Sequence, residues 1–160
     1  MEDQDYMALA LAEARAAAEA GEIPVGAVLV RDGEILARTG NRRETDRDPT
    51  AHAEILALRE GARRLGDWRM TGCTLYVTLE PCPMCAGALV MSQLDRCVFG
   101  AYDSERGCCG SVYDLPGDPA LKGRTRWRAG VMGETCRAAL DSFFAGLREG
   151  RTEPERGECP

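Results

Sequence analysis

Histidine is almost absent from this 160-residue chain: there is one, His52. Any chemistry that needs an imidazole must use that position. No apolar run approaches the roughly 20 residues needed to span a bilayer. The first residues, Met1-Glu2-Asp3-Gln4-Asp5, lack the basic start of a secretory signal. These absences lead us to expect a cytoplasmic protein without membrane contact. There is no internal repeat and no stretch of linker composition. The expectation is one globular domain over residues 1–148, followed by a short disordered tail at 149–160.

A basic excess is also missing. The net charge is −6, with acidic residues concentrated in the first stretch and the final tail, which argues against general nucleic-acid affinity. Local basic clusters remain: Arg42, Arg43 and Arg47 before the histidine, Arg59, Arg63, Arg64 and Arg69 after it, and Lys122, Arg124, Arg126 and Arg128 late in the chain. The last three arginines alternate, so on a strand they face the same way. They read equally as a basic stripe or as protective charge on a sheet edge.

Eight cysteines raise the question of a disulfide scaffold, which a chain of this length and patterning does not need. Cys73 and Cys97 lie in apolar, strand-like runs and read as buried small hydrophobes. Cys108-Cys109, between Gly107 and Gly110, fit a turn or a tight helix start. Cys136 falls in the last helix and Cys159 in the tail.

Apolar spacing predicts a helix over Tyr6–Ala20, ending at Gly21. Val25–Val30 reads as a strand, turning at Arg31-Asp32-Gly33-Glu34 into Ile35–Arg38. After a polar loop from Asn41 to Asp48, Pro49-Thr50 open a helix running to about Leu65. Strands follow at Thr74–Leu79 and Cys97–Phe99, separated by a helix over Met84–Met91 that Pro83 begins. Trp127–Met132 reads as a last strand and Glu134–Leu147 as a closing helix. This order gives an α/β fold whose sheet is covered by helices on its faces.

The chemistry concentrates in Thr50-Ala51-His52-Ala53-Glu54 and Pro81-Cys82-Pro83-Met84-Cys85. A Cys-x-x-Cys pair alone fits a redox couple or half of a structural zinc site, and a lone histidine is usually an ordinary core or surface residue. The complete set, His52, Glu54, Cys82 and Cys85 with Pro81 before the first cysteine, is the signature of zinc nucleobase deaminases. One imidazole and two thiolates leave a fourth tetrahedral position for water, as in a catalytic rather than a closed structural site. Zn2+ brings that water's pKa to about 7. Glu54, two residues from His52, has the reach to move protons between water and a base ring.

Longer stretches carry a resemblance. Glu22-Ile23-Pro24-Val25-Gly26-Ala27-Val28, Asp48 to Ile55, Leu75 to Ala88, Val98 to Ala101 and Asp141-Ser142-Phe143-Phe144 are similar to the bacterial tRNA-specific adenosine deaminase family, within the cytidine-deaminase-like superfamily. The similarity covers roughly residues 6–148. It implies a three-layer α/β/α fold with a mixed five-stranded central sheet. It implies Zn2+ held by His52, Cys82 and Cys85, with Glu54 as the catalytic proton carrier. Asn41 matches an asparagine that hydrogen-bonds the base, and Ala53 lends a backbone amide on the leaving-group side. Val25 matches a pocket wall, and Asp103 an acidic residue beside the flipped nucleotide's ribose.

The substrate so implied is adenosine at the wobble position of a tRNA anticodon arm, hydrolysed to inosine, by a homodimer whose two subunits shape the RNA site. Read without the resemblance, Asn41 equally fits a turn, Asp103 a helix N-cap, and Glu80 a hydrogen bond across its own turn. Two features depart from the family. Its late-loop Asn-His pair is replaced by Lys122-Gly123, and its basic tail by Arg156-Gly157-Glu158-Cys159-Pro160. Both fit an alternative substrate, a free nucleobase or nucleoside such as guanine or cytosine. A catalytically idle RNA-binding subunit is a third possibility, which Glu54 opposes because a scaffold has no use for that carboxylate.

Overall fold

The computed structural model describes residues 1–149, so the expected tail beyond its first residue, Cys159 included, lies outside the described residues. Strand alternation becomes two buried faces. In β1 (Gly26–Arg31), Ala27 and Leu29 side with Leu75 and Val77 of β3 (Cys73–Leu79) and Cys97 and Phe99 of β4 (Arg96–Ala101). That face is covered by α2 (Ala53–Leu65) and α3 (Pro83–Met91). Val28, Val30, Tyr76 and Val98 form the other face, under α1 (Asp3–Glu19) and α4 (Gly133–Arg148). The result is the expected three-layer α/β/α arrangement.

The sheet has five strands in the order β2-β1-β3-β4-β5, with β2 (Glu34–Gly40) and β5 (Arg126–Arg128) at its edges. β1 runs antiparallel to both β2 and β3, while β3, β4 and β5 are parallel, so the sheet is mixed. The β1–β2 hairpin turns through Asp32 and Gly33, both at positive φ (50° and 76°), as a two-residue turn matched to strand twist requires. Since β2 and β3 each oppose β1, they point the same way. The helices that follow them, α2 and α3, therefore begin at the same end of the sheet.

Two expectations need correction. The second helix begins at Ala53, not at Pro49-Thr50, and His52 is its N-cap in an extended conformation (φ −74°, ψ 153°). The preceding residues are used by the loop: Asp48 accepts from the Thr50 amide and hydroxyl (2.8 and 2.7 Å), and the Ala51 carbonyl accepts from the Arg42 amide (3.0 Å). The last strand covers only Arg126–Arg128, not Trp127–Met132. Beyond it the chain bends through Gly130 and Met132, both at positive φ, and Val131 and Met132 pack under α1 and α4.

Two of the three alternating arginines are neutralised, which leaves Arg126 alone of them without a carboxylate among the described residues. Arg124 pairs with Asp95 and Arg128 with Asp3, each at 2.8 Å. Asp3 also accepts from Arg96 (2.6 Å) and the Tyr76 hydroxyl (2.8 Å), tying the start of α1 to β3, β4 and β5. The Arg96 guanidinium, helped by Tyr76 and Arg128, outweighs partial burial and holds the Asp3 carboxyl well below the usual range.

Helix α1 lies directly on β1 because Gly26 has no side chain. A Cβ there would stand 2.0 Å from the Ala10 carbonyl oxygen and 2.5 Å from the Ala14 nitrogen, both backbone atoms. Gly87, inside α3, has nothing within 4 Å of such an atom. Gly26→Ala is expected to cost about 3 kcal/mol or more, lowering Tm by roughly 6–12 °C. Gly87→Ala is expected to be neutral or to stabilise by up to about 1 kcal/mol. Thermal and urea denaturation of the two variants checks both signs.

Candidate active site

Two helix starts meet at one end of the sheet. His52 caps α2 and Cys82 caps α3, both with extended backbone (ψ 153° and 176°), which turns their side chains to the space before the helices. Pro83 occupies the first turn of α3, where its missing N–H costs no hydrogen bond. Cys85 completes that turn and brings its sulfur back beside Cys82.

The His52 Nδ1 lies 3.6 Å from the Sγ of Cys82 and 3.6 Å from the Sγ of Cys85. All three ligand atoms fall within 4.8 Å of one another. Zinc bonds of about 2.3 Å to sulfur and about 2.0–2.1 Å to nitrogen, meeting at a tetrahedral angle, leave their ends about 3.6 Å apart. The donor set and its spacing fit zinc, and the three residues form a metal-binding triad.

The protonation pattern agrees. A hydrogen bond from Cys85, with His52 adding to it, outweighs burial and brings the Cys82 thiol down to about 4. Cys85, donating to Cys82 and buried near Glu54, holds its proton far above the ordinary thiol range. Of the two sulfurs Cys82 is therefore the readier to ionise, and a divalent cation binding both displaces thiol protons. The Cys82 partner also raises the pKa of His52.

Glu54, the second residue of α2, is 3% exposed, and burial pushes its carboxyl up. Its Oε1 has no hydrogen-bond partner. Leaving a buried acceptor unsatisfied costs roughly 1–3 kcal/mol. A water carried by a cation at the triad is the kind of group that removes this cost.

A cavity of about 710 Å³ opens over the triad. Val25, Asn41, Ala53 and Asp103 line it together with His52, Glu54 and Cys82, while Cys85 lies fully buried behind. Asn41 donates from Nδ2 to the Ile23 carbonyl (3.3 Å) and accepts from the Arg43 amide (3.1 Å). Ala53 is the first residue of α2, so its N–H has no intrahelical acceptor. Its carbonyl accepts from the Thr39 hydroxyl at 2.7 Å. Asp103 begins no helix. It caps a turn, accepting from the Glu105 and Arg106 amides (3.1 and 3.2 Å). Lys122 and Gly123 do not line the cavity.

Two buried carboxylates hold the cavity's loops: Glu22, which no sequence motif singles out, and Glu80, whose partners differ from those expected. Glu22, 1% exposed, accepts from the Glu44 amide (3.0 Å) and from the Thr45 amide and hydroxyl (2.7 and 2.6 Å). Burial raises its pKa, but these bonds outweigh it and hold the carboxyl below its ordinary value. Glu80, 2% exposed, does not bond across its own turn. It accepts from the amides of Asp103 (3.0 Å), Cys109 (3.0 Å) and Ser111 (3.1 Å), and from the Ser111 hydroxyl. A Cβ on Gly107 would stand 2.2–2.4 Å from the Glu80 carboxylate, so only glycine lets the loop approach it. Cys108 and Cys109 lie on this turn and are buried beneath it. The partners lie more than twenty residues away in sequence, so no local pattern announces them.

Residues 1–101 match the family described as the cytidine and deoxycytidylate deaminase zinc-binding region. The chain is 48% identical over 148 residues to a tRNA-specific adenosine deaminase of Bacillus subtilis, covering 92% of each protein. It is 44% identical over 143 residues to that of Aquifex aeolicus, covering 89% of this chain and 94% of the relative. A solved structure from studies of A-to-I editing by tRNA:A34 deaminases superimposes with a TM-score of 0.82 at 41% identity, covering 85% of this chain and 99% of that one. A guanine deaminase of Bacillus subtilis is more distant, with a TM-score of 0.63 at 29% identity over 97% of this chain and 99% of that one. The spacing of the triad, the orphaned carboxylate beside it and these likenesses agree, and the chain belongs to the tRNA-specific adenosine deaminase family of the zinc-binding cytidine and deoxycytidylate deaminases.

Proposed function

We propose that the chain hydrolyses adenosine at the wobble position of a tRNA anticodon to inosine, releasing ammonia, and that residues 1–148 act as one deaminase domain. The observation that carries this is the triad with the unpartnered Glu54 oxygen beside it. The likeness to tRNA-specific deaminases over nine-tenths of both chains supports the substrate.

In this reading His52, Cys82 and Cys85 hold Zn2+, which supplies the Lewis acidity that makes water a nucleophile near neutral pH. Glu54 takes a proton from the attacking water and passes it to the purine nitrogen beside the carbon under attack. As the new C–O bond forms and the C–N bond breaks, Glu54 delivers the remaining water proton to the leaving amine, so that ammonia departs and the carboxylate is restored. Burial favours its protonated form between these transfers. Asn41 and the Ala53 amide orient the base, Val25 packs against it, and Asp103 stands at the ribose.

A tRNA substrate goes with a cytoplasmic location, and among the described residues no helix is long and apolar enough to cross a membrane. Large apolar side chains left exposed on α3 and the loop after β4, namely Met91, Tyr102 and Tyr113, support pairing of two copies on that side. A free base such as guanine remains the alternative substrate, and comparison of an anticodon stem-loop with adenosine, guanine and cytidine decides between them. We expect inosine in the stem-loop and little ammonia from the free compounds; the reverse pattern overturns the tRNA reading.

Glu54→Gln is expected to lower kcat on that stem-loop by at least about 100-fold with zinc content unchanged. Retained activity would show that another group moves the protons. Glu80→Gln turns an NH2 group towards at least one N–H donor, that of Asp103, or towards two, those of Cys109 and Ser111, depending on which oxygen it replaces. It is expected to lose roughly 1–3 kcal/mol of stability and to speed hydrogen exchange at Asp103, Cys109 and Ser111 while leaving bound zinc in place. Unchanged exchange at those amides contradicts the anchoring role.

A further inference from the structure

We propose that Arg43 and Arg106 grip RNA phosphates at the cavity mouth and thereby select a polynucleotide over a free base or nucleoside. This rests on the RNA reading of the substrate given above. Apart from His52 of the triad, these are the only basic side chains lining the cavity among the described residues. They come from separate loops, Arg43 between β2 and α2 and Arg106 between β4 and β5.

Most other guanidiniums are matched to carboxylates. Arg42 pairs with Asp46 (2.9 Å), Arg63 with Glu60, Arg96 and Arg128 with Asp3, and Arg124 with Asp95. Arg106 has no carboxylate within 4 Å among the described residues, and Arg43 has only exposed Glu44 at 3.5 Å. Arg15, Arg47, Lys122, Arg126, Arg137 and Arg148 also lack such a partner among the described residues, but none of them lines the cavity; there Arg106 is free and Arg43 only loosely held, so both can meet an incoming anion.

Their backbones are held in place. The Arg43 amide donates to Asn41 (3.1 Å) and its neighbour's amide to buried Glu22 (3.0 Å). The Arg106 amide donates to Asp103 (3.2 Å), on the loop that buried Glu80 anchors. Little loop entropy remains to be lost when these side chains engage a ligand. A nucleotide flipped out of a single strand brings a phosphate on each side of its ribose, whereas a free base brings none. In a chain of net charge −6, attraction for a polyanion must come from local cations of this kind.

The test uses the zinc-loaded protein, the single and double variants Arg43→Gln and Arg106→Gln, and the charge-keeping variants Arg43→Lys and Arg106→Lys. Deamination of an anticodon stem-loop is followed across a salt series, beside adenosine and adenosine 5′-monophosphate. Each glutamine substitution is expected to raise KM for the stem-loop roughly tenfold with kcat held within about twofold. Each also lowers the slope of log KM against log salt by about 0.7. The lysine variants keep that slope, and turnover of adenosine does not change.

If the wild type deaminates the stem-loop and the glutamine variants match its KM and salt slope, the grip is wrong and the substrate assignment stands. If the wild type ignores the stem-loop and deaminates a free base, both fall. If the substitutions weaken adenosine 5′-monophosphate as strongly as the stem-loop, the arginines serve a mononucleotide and the polynucleotide grip is overturned.

Discussion

The architecture turns on two helices starting at the same place. β2 and β3 point the same way because both oppose β1, so the segments leaving them deliver α2 and α3 to one end of the sheet. N-cap residues have extended backbone, and their side chains face the space in front of the helix. His52 and Cys82 occupy those caps, and Cys85 comes round within the first turn of α3. Three donors from two short segments thereby meet without any one loop having to enclose a cation. The α3 N-terminus adds the positive end of a helix dipole, which favours thiolate at Cys82.

Three glutamates are buried among the described residues, and their hydrogen bonding separates their roles. Glu22 and Glu80 accept from loop amides and hydroxyls and fix the walls of the cavity. Glu54 keeps an oxygen unpartnered where it faces the triad. A fold selected only for stability gains nothing by burying that oxygen, since its desolvation is not offset by a bond within the protein. Its position makes sense as a proton carrier whose partners arrive with the water and the substrate. The two anchored carboxylates fix the loops that bring Arg43 and Asp103 to the cavity wall, Glu22 through the Glu44 and Thr45 amides and Glu80 through the Asp103 amide.

The chemistry and the outline of the fold were legible because they rest on local pattern. Short apolar runs at Val25–Val30 and Thr74–Leu79 announced strands of a sheet covered on its faces, and Asp32-Gly33 announced the hairpin. His52 with Glu54, and Cys82 with Cys85, stood close enough in sequence to be read as pairs. The start of α2 was not legible, because Asp48 and Arg42 draw Thr50 and Ala51 into the loop, a competition that helix propensity does not register. Trp127–Met132 looked like a strand on apolar content, yet only three residues pair with β4 before Gly130 turns the chain. The anchoring roles of Glu22 and Glu80, and the neutralisation of Arg124 and Arg128, depend on contacts distant in sequence.

The chemistry depends on one imidazole and two sulfurs holding a zinc ion whose remaining position is open to water. X-ray absorption at the zinc edge of the purified, metal-reconstituted protein measures this directly. We expect one zinc per chain with two sulfur neighbours at about 2.3 Å and two nitrogen or oxygen neighbours at about 2.0–2.1 Å, one of the lighter pair exchanging with added small anions. A protein that takes up no zinc, or a zinc bound by four sulfurs, would contradict this coordination.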